Sequence, residues 1–141
     1  MILAFDTATR ATTVALETPE RTLERRDDPP RASRPRHTSV LLGLIEELLQ
    51  EADAGWDQID LLAVGVGPGT FTGLRIGVAT ARALASARGI PLVGISTLES
   101  LARNAPLEHS TVAAVLDARR GEVFAAIWAE GDVLLPPAAL T

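Results

Sequence analysis

The stretch of this 141-residue chain best suited to chemistry is Gly67-Pro68-Gly69-Thr70-Phe71-Thr72-Gly73. It follows an apolar run at residues 61–66 and leads into a helical pattern, so its glycines lie where a strand turns into a helix. Such a turn exposes backbone N–H groups beside the positive end of a helix dipole, a fit place for phosphate. The segment departs from both common phosphate signatures. It contains no G-x-x-x-x-G-K-[ST], and Thr72 stands where G-x-G-x-x-G needs its third glycine after Gly67 and Gly69. The same residues fit a second reading, a tight turn that lets the helix pack closely on the sheet. Asp6 and Asp117 each end an apolar run in a turn. They could hold a hydrated cation beside a nucleotide, or reflect only the preference of aspartate for turns. A two-metal site needs several converging acids, whereas Glu46, Glu47 and Glu51 fall on the polar side of an amphipathic helix.

His37 follows an arginine and precedes a helix start, with no activating partner to name, so it reads as a surface or capping residue. His109 reads as a loop residue. Arg31, Arg34 and Arg36 could touch phosphates, but Asp27 and Asp28 dilute their field, and a solvated loop is the favoured reading. Gly73, Gly77, Ala81 and Ala85 recur every fourth residue and leave one helix face almost bare. Another helix could close onto that face, either from the same chain or from a partner protein. All 13 basic residues are arginine, and the missing lysine excludes a Walker A lysine, a Schiff base and a lysine general base. The missing cysteine excludes disulfides and thiolate chemistry, and two histidines are too few for a histidine-rich metal site. A net charge of −5 gives no chain-wide footprint for nucleic acid.

The elements that must position these residues follow from periodicity. Residues 2–5, 12–17 and 22–26 read as three hairpinned strands, and 27–36 as an exposed Pro/Arg loop. A helix capped by Thr38 or Ser39 carries Val40, Leu41, Leu44, Ile45, Leu48 and Leu49 to about residue 52, and Gly55 marks its end. That apolar face is wide for a helix buried on one side only. Residues 61–66 form a buried strand, 74–88 a helix, 92–95 another strand, and Ser96 or Thr97 caps a brief helix. Strands at 112–116 and 122–128 flank a turn, and the tail beyond is uninformative. The order β-β-β-α-β-α-β-α-β-β predicts an α/β fold, a mixed sheet covered by helices as in a ribonuclease-H-like lobe. No apolar run is long enough for a membrane span. The N-terminus has no basic flank of a signal peptide, so the expected location is cytoplasmic.

Five segments, in order, resemble the TsaB (YeaZ) family. They are Phe5-Asp6-Thr7-Ala8-Thr9, His37-Thr38-Ser39-Val40-Leu41-Leu42, the run from Gly65 to Gly77, Pro91-Leu92-Val93-Gly94-Ile95-Ser96-Thr97-Leu98, and Asp117-Ala118-Arg119-Arg120-Gly121-Glu122-Val123-Phe124. The resemblance implies a lobe of the actin, Hsp70 and sugar-kinase superfamily. It also implies a part in making N6-threonylcarbamoyladenosine in tRNAs that read codons starting with A. In that family the protein pairs with a paralogue, TsaD, which carries the metal and the transfer, and TsaE, an ATPase, joins them. TsaD-like chains carry two metal-binding histidines, four residues apart, where this chain has Thr97 and Leu101. Neither can replace imidazole. The usual phosphate-loop glycine is missing at Ala8, and Ala118, Arg119 and Arg120 follow Asp117 where glycines belong. What remains of a nucleotide cradle would be a vestige formed by Asp6, Thr7, Gly67, Gly69, Thr70 and Asp117.

The expected protein is therefore a non-catalytic scaffold subunit with no cofactor, no metal and no catalytic residue. It would meet tRNA only through the complex and form a homodimer when alone. Its docking surface would be the helix pair, with Val40, Leu41, Leu44 and Leu48 supplying apolar area and Gly73, Gly77, Ala81 and Ala85 letting a partner close in. On that basis Gly77→Leu should weaken association with little loss of fold. The competing expectation is a nucleotide-dependent phosphotransferase or hydrolase using Asp6 and the 67–73 loop. Weak or absent Mg-ATP binding without turnover would separate the two. A metallopeptidase has no HExxH or other two-histidine motif to stand on. Residues 1–105 should fill one lobe, with 106–141 the start of a second lobe that looks short, whether by loss or truncation.

Overall fold

A computed structural model describes residues 1–106 and 111–141. His109 therefore lies outside the described residues. Strands β1 (Ile2–Asp6), β2 (Thr12–Glu17) and β3 (Thr22–Asp27) form an antiparallel meander. Helix α1 (His37–Glu51), strand β4 (Leu61–Gly65), helix α2 (Phe71–Arg88), strand β5 (Leu92–Ile95) and helix α3 (Thr97–Ala102) follow. β4 runs parallel to β1, and β5 parallel to β4, giving a mixed sheet in the order β3-β2-β1-β4-β5. This is the ribonuclease-H-like lobe anticipated from the pattern of elements. β6 (Thr111–Arg119), β7 (Glu122–Ala129) and β8 (Asp132–Leu140) make a second, antiparallel sheet.

One face of the first sheet supplies Leu3, Phe5, Val14, Leu16, Leu62 and Val64, the alternate residues that a pleated strand points to one side. Against them α1 lays Leu41, Ile45, Leu48 and Leu49, and α2 lays Ala81. Val40 and Leu44 stay half-buried. The width of the α1 apolar face is thus largely accounted for by its own sheet. α3 turns to the other sheet, where Leu98 packs with Ala114 and Ala126.

Several boundaries differ from the sequence reading. α1 is capped by Arg36 without any side-chain bond, and Ser39 donates back to the Arg36 carbonyl from inside the first turn. Its last residue is Glu51, with Ala52 as the C-cap, while Gly55 instead opens a 3-10 turn over Trp56–Gln58. α2 begins at Phe71 because the Thr70 hydroxyl accepts from the Gly73 amide and caps it there. The tail holds a full strand, β8. It carries Pro136 and Pro137 at an edge position where its register on β7 slips, so the missing N–H groups break no central ladder. The turns Arg120-Gly121 and Glu130-Gly131 have positive φ at both residues, the backbone of a two-residue hairpin loop.

The N-terminal half of the small-residue stripe of α2 faces the turn after β1. A Cβ added at Gly73 would collide with the Thr7 carbonyl, and one at Gly77 with the Thr7 hydroxyl, while α1 lies alongside. Gly73, Gly77 and Ala81 are buried against the end of β1 and against β4, as are Leu41 and Leu48 against the sheet. They are accordingly unavailable to a partner. Gly77→Leu would disrupt the fold, contrary to expectation, because its side chain would have to enter occupied space. Gly43, in the middle of α1, has nothing within 4 Å of an added Cβ. Gly43→Ala should therefore stabilise the chain by about 0.5–1 kcal/mol, whereas Gly73→Ala should destabilise it by roughly 1–3 kcal/mol. Urea unfolding of the two variants checks both signs, and equal effects would refute this packing account.

Candidate functional site

The turn after β1 is the meeting point of β1, α2 and α3, and its polar groups are already engaged. Asp6 Oδ1 accepts from the Ala8 amide at 2.5 Å, and Oδ2 accepts from the Thr97 hydroxyl at 2.7 Å. The buried Thr7 hydroxyl donates to the Gly73 carbonyl at 2.8 Å. The Ala8 carbonyl accepts from the Thr70 amide at 2.7 Å, and the Gly67 carbonyl from the Thr97 amide at 2.9 Å. Gly65 and Gly69 are needed for this contact, since a Cβ at Gly65 would strike the Asp6 carboxylate and one at Gly69 the Ala8 carbonyl. The structure therefore brings Asp6, Thr7, Gly67, Gly69 and Thr70 together, but as a packed joint. Asp117 is on β6, where its Oδ1 accepts from the Arg119 amide at 2.7 Å, and it lines one cleft with Gly69 and Thr70.

Thr97 and Leu101 occupy different surroundings. Thr97 is buried and tied to Asp6, while Leu101 is exposed. Among the described residues no three His, Cys, Asp or Glu side chains converge to hold a metal ion. No described helix is long and apolar enough to cross a membrane.

Beside the joint lies a cleft of about 620 Å3, bounded by the 28–36 loop, the starts of α1 and α2, and the β6–β7 hairpin. Arg10 fixes the loop by donating to the carbonyls of Pro30 and Ser33, both at 2.7 Å. Arg36 pairs with Asp27, and Arg26 with Asp28. The acids near the Pro/Arg loop thus engage particular cations, and Arg34 is left on the cleft wall.

His37 is the residue whose place the sequence reading missed. It is 3% exposed, not on the surface, and it caps nothing. Its Nδ1 shares a hydrogen bond with Thr12 Oγ1 at 2.8 Å, linking α1 to β2, and its Nε2 has no hydrogen-bond partner among the described residues. Burial lowers its pKa, outweighing the Thr9 carbonyl and the more distant Asp27 and Asp6, which favour the charged ring. The only signal in the sequence was its position one helical turn before Leu41, on the buried face of α1.

Comparison with known proteins adds four findings. A family model described as "TsaD: tRNA N6-adenosine threonylcarbamoyltransferase" matches residues 28–133. The "tRNA threonylcarbamoyladenosine biosynthesis protein TsaB" of Escherichia coli is 39% identical over 131 residues, covering 92% of this chain and 54% of the relative. The protein of the same name from Haemophilus influenzae is 38% identical over 130 residues, covering 87% and 51%. The solved structure "YeaZ from Pseudomonas aeruginosa" superposes with a TM-score of 0.85 at 35% identity, covering 99% of this chain and 66% of that one. The chain spans about half the length of the curated relatives it matches.

The buried imidazole makes stability depend on pH. Its folded pKa lies below the unfolded value of about 6.5, so the unfolded chain binds more protons as pH falls. The neutral ring's contribution is complete above about pH 6.5 and declines below it. In phosphate-free buffer, unfolding midpoints should fall more steeply from about pH 7.5 to 5.5 in the parent chain than in His37→Gln. Parallel curves would remove His37 as the cause.

Proposed function

The chain belongs to the TsaB/YeaZ family, and from that premise we propose that it is a non-catalytic scaffold subunit. The reaction it serves adds threonylcarbamoyl to N6 of adenosine in tRNAs reading codons that begin with A. A TsaD-like protein supplies the catalysis, a TsaE-like ATPase joins the assembled complex, and tRNA is met only through that complex in the cytoplasm. Alone, the chain forms a homodimer. Its division into a lobe at 1–105 and a second at 106–141 belongs to the same reading, with the proviso that α3 packs on the second sheet.

The observation that carries the reading is the Asp6–Thr97 bond. The resemblance puts a metal-binding histidine of TsaD-like chains at position 97. Here a hydroxyl stands there and closes onto the strand-end carboxylate instead. A cation at Asp6 would have to break that bond and the one from Ala8. The phosphotransferase reading is disfavoured for the same reason, because the Asp6 carboxylate that would hold its cation already accepts from Ala8 and Thr97.

Of the docking residues expected from sequence, Val40, Leu44 and Ala85 remain half-buried and accessible on the helix pair. Exposed Leu42 and Phe71 extend the apolar area of the same two helices. Burying such side chains in an interface removes apolar area from water at about 25 cal/mol per Å2, and a carboxylate placed among them would have to be desolvated. Val40→Asp should therefore weaken co-purification with a TsaD-like partner at least about tenfold, or about 1.4 kcal/mol, with the fold retained. Unchanged co-purification would remove this surface from the proposal. The chain alone should turn over no Mg-ATP, and steady hydrolysis that survives repeated purification would overturn the non-catalytic reading.

A further inference from the structure

Among the described residues, every hydrogen bond that crosses from residues 1–95 to residues 96–141 is donated by Thr97. Its amide donates to the Gly67 carbonyl at 2.9 Å, and its hydroxyl to Asp6 Oδ2 at 2.7 Å. No ion pair among the described residues crosses the same line. Packing is divided in the same way. β6, β7 and β8 pack chiefly on one another and on α3, and α3 packs chiefly on β6 and β7. Leu98, the residue after Thr97, is fully buried and packs with Ala114 and Ala126 of the second sheet. Adjacent positions at the start of α3 thus reach opposite bodies, Thr97 the turn after β1 and Leu98 the second sheet. Ser96 secures that helix start by accepting from the Glu99 amide.

We propose that Thr97 is a latch between two bodies that otherwise move independently. α3 and the β6–β8 sheet form one body, hinged where β5 ends at Ile95, and the Asp6–Thr97 bond holds it against the first lobe. Two bodies of one chain that share little packed surface move relative to one another unless something restrains them. A hydroxyl donating to a carboxylate is among the stronger single restraints a side chain offers. The cleft of about 620 Å3 has the starts of α1 and α2 on one side and Asp117, Arg119 and Phe124 of the second sheet on the other. Its width therefore depends on the latch. Thr97 is in this sense a positioning residue, which sets the separation of the two walls from a place outside the cleft lining. The inference rests on the joint alone, so its failure would leave the scaffold reading standing.

The test is a distance measurement across the cleft in the full chain. The sequence has no cysteine, so Thr38→Cys and Glu122→Cys give two unique attachment points for spin labels. Both positions are exposed, one at the start of α1 and the other at the start of β7. Double electron–electron resonance should give a narrow distance distribution with Thr97 in place and a broader one in Thr97→Val, which keeps the shape and loses the hydroxyl. Thr97→Ser, which keeps the hydroxyl, should restore the narrow distribution. Thr97→Ala reads the same loss without the bulk, should Thr97→Val fail to fold. A distribution unchanged in both Thr97→Val and Thr97→Ala, or a broadening that Thr97→Ser shares in full, overturns the proposal.

Discussion

The close seating of α2 on the turn after β1 is the constraint from which the rest of the lobe follows. The Thr7 hydroxyl reaches the Gly73 carbonyl, and the Thr70 amide reaches the Ala8 carbonyl. Backbone can approach backbone this closely only where Cβ atoms are missing, which accounts for Gly69, Gly73 and Gly77 at one stroke. The same turn holds α3 through Asp6 and Thr97. Three elements separated by up to 91 positions in sequence thus converge on three consecutive residues. A glycine-rich turn before a helix has the look of a phosphate loop from sequence, and here it is occupied by the protein's own chain.

That occupation has a chemical consequence. A phosphate loop works by presenting free amides to a ligand, and a metal site by presenting free carboxylate lone pairs. At the joint the Asp6 carboxylate is satisfied by Ala8 and Thr97, and the Thr70 amide by the Ala8 carbonyl. Buried groups already paired have little to gain from a ligand and must first lose what they have.

Much of this architecture was legible in the sequence, because strand and helix periods differ and glycine and proline punctuate them. The order of elements and the mixed sheet followed from that alone. The losses have physical causes. β8 was invisible because Pro136 and Pro137 contradict a strand unless it lies at an edge with a slipped register, and topology is not local information. The α2 stripe was correctly seen as a close-approach surface, but periodicity marks a face without saying what faces it. Thr7, the residue it meets, looks like any turn threonine. His37 was judged by its polar neighbours, although its spacing from Leu41 placed it on the buried face. Of the candidate nucleotide set, Asp117 comes from the hairpin of the second sheet and meets Gly69 and Thr70 only across a cleft, a proximity that topology sets and local sequence does not show.

The packing of α1 and α2 also narrows where a partner can sit. Both helices lie on one face of the five-stranded sheet and give their most apolar positions to it. A helix of 15 residues with six large apolar side chains on paired positions keeps only those at the margin of the buried arc for anything else. Val40 and Leu44 occupy one margin and Leu42 the other, so a partner docked on the helix pair, as proposed, would lie along its flanks. Docking of that kind leaves the joint below undisturbed. A subunit can then form an interface with its helices while the turn of β1, held from within, keeps the lobe rigid beneath them.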